Sequence, residues 1–197
     1  AKVIYNLLEN ILSICIGLLV VGTSVSAGGS GGRPPRRAAA APTACGATGG
    51  PMATIEDVTA VMEQSAHLGV VSTTRADGSI QSTVVTAGVV AHPVSGERGV
   101  GFTTAGESAK LRFLRRRPQA TIVFQPGFHW ASVEGTADLV GYDDPCEGVD
   151  AEGLRQLLRD VFTAAGGTHE DFDAYDRAMA EQRRSAVLIR PARILAM

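Results

Sequence analysis

The sequence contains few aromatic residues and little cysteine, and the shortage of cysteine excludes two kinds of site. Only 3 of its 197 residues are cysteine, and they stand far apart at Cys15, Cys45 and Cys146. Without a C-x-x-C pair, this spacing predicts neither a disulfide framework nor a zinc site. The 4 histidines are equally scattered, so we expect no metal site.

The sequence also lacks an excess of basic charge and any recognisable set of nucleophilic residues. Its formal net charge is -2, which argues against a nucleic-acid partner, because such proteins carry a marked surplus of Lys and Arg. No Ser-His-Asp or Cys-His arrangement is visible, so we expect no covalent catalysis and no obligatory catalytic side chain.

Residues 1–51 differ in composition from the rest of the chain. The apolar run Ile11–Val21 is too short to span a bilayer, but it is typical of a signal-peptide core. Residues 1–27 are therefore interpreted as either a signal-like segment or an extraneous one. Residues 28–51 are rich in Gly, Ala, Pro and Arg, which predicts a disordered linker. We expect one folded domain over residues 52–197, in the cytoplasm unless residues 1–27 are a genuine signal that exports or anchors the protein.

Strand and turn signals dominate residues 52–140. A capping box of Thr54 and Asp57 begins a short amphipathic helix that ends near His67. Runs of β-branched residues between turns then predict five strands, at Leu68–Thr74, Gln81–Val90, Gly99–Thr104, Ala120–Gln125 and Trp130–Val140. Within the last of them, Glu134 and Gly135 are interpreted as a β-bulge. Hairpins at this spacing favour an antiparallel barrel over alternating βαβ units.

Helical patterns return after residue 150. Apolar residues at i, i+3, i+4, i+7 and i+8 form a stripe that begins at Leu154. Thr168 is a candidate cap for a second helix, and Ser185–Leu195 is the last predicted strand. The order of helix, strands, helices and strand predicts the α+β class with a barrel core.

The segment Phe102–Pro118 is the strongest candidate for a binding site. Its strand ends in Thr103-Thr104, a Gly-containing turn follows, and Ser108 begins a short helix that carries Lys110. Hydroxyl and backbone N–H groups at a helix start, together with a lysine, can bind a phosphate. A solvated basic face is the alternative interpretation, because the helix also carries Arg112, Arg115, Arg116 and Arg117 and no acid.

The order of several motifs resembles the pyridoxamine 5'-phosphate oxidase-like, FMN-binding split-barrel superfamily, and within it the deazaflavin-dependent branch. The motifs are the Asp77-Gly78 turn, Phe102-Thr103-Thr104, Ser108-Ala109-Lys110, Arg117-Pro118 and Trp130–Ala137. The resemblance implies an antiparallel split β-barrel of six or seven strands with flanking helices. It also implies a homodimer whose cofactor lies in a groove between the two barrels, bound by Ser82, Thr103, Thr104, Ser108, Lys110, Arg117 and Trp130.

The function that the resemblance implies is oxidoreductase chemistry, with hydride transfer between coenzyme F420 and a small organic substrate. Two departures keep alternatives open. The Lys-x-x-Asn-Leu motif of the deazaflavin branch has Phe113 in place of Asn, and the second strand lacks the Arg and Lys of FMN oxidases. The alternatives are an FMN-dependent oxidase or reductase and a non-enzymatic flavin- or haem-binding protein. Trp130 either flanks the cofactor ring or fills the barrel end.

Overall fold

The computed structural model describes residues 53–197, so the predicted segments 1–27 and 28–51 lie outside the described residues. The helices are α1 (Ile55–Gln64), α2 (Ala109–Leu114), α3 (Ala151–Ala164) and α4 (Phe172–Glu181). The strands are β1 (Leu68–Thr74), β2 (Ile80–Thr86), β3 (Gly88–Ala91), β4 (Arg98–Thr104), β5 (Gln119–Phe124), β6 (Ala131–Gly141) and β7 (Ser185–Ala196). The predicted α+β class is confirmed, since seven antiparallel strands form one sheet with helices beside it. None of these helices is long and apolar enough to cross a bilayer.

The sheet curls into a barrel, because its two edge strands, β2 and β3, follow each other directly in the chain and must therefore lie side by side. Its order is β2-β1-β5-β6-β7-β4-β3, and β2 passes into β3 through Ala87 alone. The backbone N–H of Ala87 donates to the carbonyl of His67 at 2.9 Å, which extends the pairing with β1 by one residue, and Gly88 already pairs with β4. The prediction of one strand over Gln81–Val90 is therefore wrong. The chain bends at Ala87 and pairs first with β1 and then with β4.

Helix α1 begins as the capping box predicts. Thr54 accepts a hydrogen bond from the backbone N–H of Asp57, and the Asp57 carboxylate accepts one from the backbone N–H of Thr54 at 2.7 Å. The helix ends at Gln64, before the predicted end near His67. Ala66 and His67 take left-handed φ values of 51° and 62°, which turn the chain into β1.

Two hydrophobic cores lie on opposite sides of the sheet. The first fills the barrel and contains α1, α2 and the inward side chains of the strands, with Phe102 and Ile122 fully buried. The second lies between the outer surface of the sheet and helices α3 and α4. Strand β4 separates the two cores: Phe102 faces the first, whereas a Cβ atom at Gly101 would meet Val161 of α3 at 3.3 Å.

The late helices follow the predicted apolar stripe, with one correction. Leu157, Leu158 and Val161 are buried against the sheet, as the spacing predicts. The predicted cap of α4 at Thr168 is wrong, because the helix begins three residues later than that position requires. Asp171 is the cap, and its carboxylate accepts from the backbone N–H of Ala174 at 2.9 Å.

Strands β6 and β7 are the longest in the sheet, and the predicted bulge interrupts their pairing. The register shifts between Glu134 and Gly135, which confirms the interpretation of this pair as strand geometry. A Cβ atom at Gly135 would lie 1.8 Å from the carbonyl oxygen of Arg190, so only glycine fits there. Because of their length, these two strands extend from the part of the outer surface under α3 and α4 to a part that none of the helices α1 to α4 covers.

Candidate functional site

The turn after β4 is held close to the chain segment that precedes β7. The backbone N–H of Gly106 donates to the carbonyl of Gln182 at 3.2 Å, and a Cβ atom at Gly106 would lie 2.5 Å from the carbonyl oxygen of Arg183. Ser108 then caps α2, with its hydroxyl accepting from the backbone N–H of Leu111 at 3.3 Å. Since Leu111 and Leu114 are buried in the barrel core, the turn of α2 that carries Lys110 has a fixed orientation.

Lys110 is the predicted site residue with the most defined environment. Its ammonium group donates to the hydroxyl oxygen of Thr83 on β2 at 2.7 Å, and both side chains are partly buried. Thr83 faces the barrel side of the sheet, because its cross-strand neighbour Val71 is fully buried there. This pair connects α2 to the middle of the edge strand β2 and places a positive charge on the barrel side of the sheet.

A buried hydroxyl group lies near this pair. The Oγ1 atom of Thr73 has no hydrogen-bond partner, although Thr73 is only 1% exposed. Thr73 pairs with Gln81, two residues from Thr83, and both residues project from the same face of the sheet. The ammonium group of Lys110 and the O–H groups of Thr83 and Thr73 are hydrogen-bond donors, and donors can bind an anion. The residues present therefore fit the phosphate of a flavin or deazaflavin cofactor.

Ser82 and Thr83 lie on opposite faces of β2, because side chains alternate along a strand. The hydroxyl of Ser82 is 2.8 Å from the hydroxyl of Ser72, on the outer surface of the sheet. Sequence reasoning named Ser82, whereas the side chain that contacts Lys110 is that of Thr83. The sequence shows that side chains alternate between the two faces of β2. It does not show which of these faces is directed toward α2.

The arginines of the basic run differ in their surroundings. Arg115 forms a two-point ion pair with Asp144, with nitrogen–oxygen distances of 2.7 and 2.9 Å. The hydrogen bond from Arg115 is the main reason that the pKa of Asp144 is lowered. Arg112 and Arg116 are exposed and have no ion-pair partner among residues 53–197. The positive field of the run is therefore smaller than the sequence suggests, because Asp144 offsets one of its charges.

Arg117 binds backbone instead of an acid. Its guanidinium donates to the carbonyl oxygens of Arg75 and Ala76 at 3.1 and 3.2 Å, which fixes the β1–β2 hairpin. This geometry accounts for Arg117 as a structural residue. Its predicted role in cofactor binding stays a prediction.

The two threonines at the end of β4 also face different ways. Thr104 is 8% exposed and shares the barrel side with Phe102, while Thr103 faces the side of α3 and α4. Both pair with the start of β7, opposite Ser185 and Ala186. Thr104 is therefore placed on the same side of the sheet as the Lys110–Thr83 contact, and Thr103 is not.

Trp130 lies at the other end of the sheet from the hairpin that Arg117 binds. It exchanges backbone hydrogen bonds with Met197 at 3.1 and 2.9 Å, next to the pair Ala131 and Ala196. Its side chain is partly buried on the outer surface of the sheet. Within one chain, the structure does not bring Trp130 to α2, so its role beside a cofactor ring stays a prediction.

A second, shallow groove of about 460 Å³ lies away from α2. Asp138 and Arg190 form an ion pair in it, and His92 lies beside them with its Nδ1 atom accepting from the backbone N–H groups of Val94 and Ser95. These polar groups already bind one another. Among residues 53–197, no cluster of three or more His, Cys, Asp or Glu side chains has the arrangement of a metal site.

Comparisons with known proteins match the domain to one family. The family model of pyridoxamine 5'-phosphate oxidase matches residues 55–196. Among curated proteins, none matches the chain in sequence.

The fold also resembles solved structures at low sequence identity. A conserved hypothetical protein from Mycobacterium tuberculosis is 21% identical, with a TM-score of 0.53 over 74% of this chain and 85% of that one. A putative 5-nitroimidazole antibiotic resistance protein from Bacteroides thetaiotaomicron is 14% identical, with a TM-score of 0.52 over 72% of this chain and 82% of that one. At these identities the likeness shows a shared fold and transfers no activity.

Proposed function

Because the chain belongs to the pyridoxamine 5'-phosphate oxidase family, we propose that it is an oxidoreductase that uses coenzyme F420. When bound, this deazaflavin supplies hydride exchange with a small organic substrate. The protein binds and orients the cofactor and excludes water, and no side chain of the chain is required to act as acid, base or nucleophile. The cofactors considered are F420 and, as the alternative, FMN.

The observation that carries the proposal is the contact between Lys110 and Thr83. The ammonium group is held 2.7 Å from the Thr83 hydroxyl on the barrel side of β2, with the unsatisfied Thr73 hydroxyl on the same face. A cofactor phosphate placed there would receive charge-assisted hydrogen bonds, which are about twice as strong as neutral ones. The hydroxyl of Ser108 caps α2 and its backbone N–H donates to the carbonyl of Ala105 at 3.0 Å, so Ser108 would contribute by fixing the start of α2 and not by a direct contact.

Two features of the surroundings favour the deazaflavin over FMN. Strand β2 carries no Arg or Lys, and the cation of this region comes from α2 instead. Arg112 and Arg116 project from α2 and its end into solvent, where they can offset the extended anionic tail of F420. FMN has no comparable tail, so exposed arginines beyond the phosphate would have no partner on it.

A fluorescence titration with oxidised F420 tests the proposal. We expect saturable quenching by the full chain, and the Lys110→Ala variant should bind about 10- to 100-fold more weakly because it loses a charge-assisted contact. Thr83→Val should weaken binding by a smaller factor. Arg177→Ala, an exposed arginine on α4, is the matched control and should bind as the wild type does.

Parallel titrations separate the alternatives. An absence of F420 quenching up to tens of micromolar, together with saturable binding of FMN, would replace F420 by FMN. Binding of a flavin or haem that never exchanges electrons with any donor or acceptor would identify a non-enzymatic carrier. If Ser82→Ala weakens F420 binding and Thr83→Val does not, the cofactor lies on the outer surface of the sheet instead of on its barrel side.

A further inference from the structure

The turn between β3 and β4 is closed mainly by one residue, His92. The backbone N–H groups of Val94 and Ser95 both donate to the Nδ1 atom of its ring, at 3.2 and 3.3 Å. The N–H of Gly96 donates to the carbonyl of His92 at 2.9 Å. His92 therefore accepts three consecutive backbone N–H groups. We call residues 92–97 the His92 turn.

These hydrogen bonds fix the protonation state of the ring. A ring nitrogen that accepts a hydrogen bond carries a lone pair and no proton, so His92 is neutral in this conformation and its proton is on Nε2. An imidazolium carries a proton on both nitrogens and accepts nothing. When solvent protonates Nδ1, both hydrogen bonds are lost, and the new N–H points at the N–H groups of Val94 and Ser95.

The surroundings of the ring attract the protonated form away from the turn. The His92 side chain is 12% exposed, and its Nε2 atom lies 3.9 Å from the Oδ2 atom of Asp138. Three acids and one guanidinium line the shallow groove beside it, so a positive ring is attracted toward the groove. The titratable and charged groups of the groove are Asp138 on β6, Arg190 on β7, Glu97 before β4, and Cys146 and Glu147 after β6.

The His92 turn forms one wall of the shallow groove. Ser95 and Glu97 line it on this side, and residues 145–147, in the loop after β6, line the other side. A Cβ atom at Gly148 would lie 3.4 Å from the Cγ2 atom of Val94, so the two walls approach each other there. Val94 is nevertheless 55% exposed. The position of the turn therefore depends on the hydrogen bonds to His92 more than on apolar packing.

We propose that His92 is a pH-sensitive switch, which holds the turn against the groove when neutral and releases it when protonated. Histidine changes its charge between about pH 5 and 8, so the turn is ordered at the upper end of this range and released at the lower end. Asp138 pairs with Leu188 of the second core, which places the groove on the outer surface of the sheet. Because Lys110 and Thr83 lie on the barrel side, this inference is independent of cofactor binding.

His67 shows why this behaviour is specific to His92. Its Nδ1 atom lies 3.2 Å from the carbonyl oxygen of Ala87, which can only accept. The Nδ1 atom of His67 is therefore the donor, and it keeps that proton when the ring becomes positive. Protonation leaves the contact of His67 in place, whereas it breaks two contacts of His92.

Amide hydrogen exchange of the full chain, followed by NMR at pH 8 and at pH 5, tests the switch. Protection factors, which remove the intrinsic effect of pH on exchange, should fall about 10- to 100-fold for Val94 and Ser95 as two hydrogen bonds are lost. The amide of Ala87 donates to a carbonyl and should keep its protection, which also shows that the fold is intact. Equal protection of Val94 and Ser95 at the two pH values would overturn the proposal.

Two substitutions of His92 separate the acceptor from the charge. In His92→Asn the side-chain oxygen can accept from the same N–H groups in an Asx turn and does not titrate, so Val94 and Ser95 should stay protected at both pH values. His92→Ala has no acceptor, and its turn should be released at both.

His169→Asn is the matched control, because the Nδ1 atom of His169 also accepts a backbone N–H, that of Asp171, in a different loop. This variant should behave as the wild type does at Val94 and Ser95. A loss of protection at pH 5 that persists in His92→Asn, or a His92→Ala turn that is still protected at pH 8, would refute the switch.

Discussion

The two halves of the outer surface of the sheet differ in how their apolar side chains are covered. Under α3 and α4, the outward residues of β4, β6 and β7 are buried, and Leu188 is 2% exposed. The other half consists of the outward side chains of β1, β2 and β5 and of the adjoining ends of β6 and β7, which no helix among residues 53–197 covers, and we call it the open face. There the outward residues of β1 and β2 include Leu and Val as well, yet Val84 is 64% exposed. The difference arises because α3 and α4 pack on one half of the surface and not on the other, and it does not arise from the residue types in the strands.

This comparison teaches that strand composition alone does not report burial. Strands β6 and β7 contribute to both halves, with Val140 buried under the helices and Leu195 exposed at 40%. Apolar residues on the helix-covered half contribute to the stability of the monomer. Those on the open face contribute only when something else covers them, so the two halves should respond to mutation in different ways.

The largest effect is expected in the middle of the helix-covered half. Leu158→Ala removes a side chain that is 1% exposed and leaves a cavity under α3. The unfolding free energy should fall by about 2–5 kcal/mol, measured by urea denaturation. A loss below about 1 kcal/mol would show that α3 packs loosely and would remove the contrast between the halves.

The second largest loss of stability is expected at Asp144, which connects the end of α2 to the start of β7. Asp144 binds Arg115 and also accepts from the Ser185 hydroxyl at 2.8 Å. Asp144→Asn should lower the unfolding free energy by about 1–2 kcal/mol at neutral pH, since hydrogen bonds to charged groups are lost.

The pKa of Asp144 gives this substitution a pH signature. Its pKa is lowered in the folded state, chiefly by Arg115, so its contribution is present above the unfolded pKa near 3.8 and disappears as the pH falls through the folded pKa. The wild type should therefore lose its advantage over Asp144→Asn as the pH drops below about 4. Two parallel stability profiles across that range would contradict the assignment.

A smaller effect is expected from the buried phenol of α4. Tyr175 donates to the carbonyl of Leu158 at 3.0 Å, so Tyr175→Phe should cost about 0.5–1.5 kcal/mol. Burial raises the pKa of Tyr175 to about 12, and the contribution of the neutral phenol is thus present below pH 10 and lost as the pH rises toward 12. Alkaline unfolding should be shallower in Tyr175→Phe than in the wild type. Tyr142→Phe, at an exposed position, is the control and should leave the profile unchanged.

The smallest effect on the monomer is expected on the open face. Val84→Ala removes an exposed side chain, so the unfolding free energy of dilute protein should change by less than about 0.5 kcal/mol. A loss above about 1 kcal/mol would mean that Val84 is covered within its own chain.

The candidate site was predictable in its parts and not in its geometry. The sequence placed Ser108 at the start of α2 and Lys110 in its first turn, because hydroxyl caps are local patterns. It could not show that Arg115 pairs with Asp144, 29 residues away, or that Lys110 reaches Thr83 across 27 residues. Those contacts depend on which strands meet, and the predicted long second strand hid the bend at Ala87.

Local patterns therefore determined the α+β class, the capping box of α1, the apolar stripe of α3 and the bulge at Gly135. Each of these depends on residues within about one turn or one strand pair, where spacing alone fixes the geometry. The tertiary structure alone decided the split of the second strand, the partner of each cation and which half of the outer surface the helices cover. These features depend on contacts between distant segments. Outward valine and leucine side chains occur in both halves of the outer surface, so residue type alone does not show which half is buried.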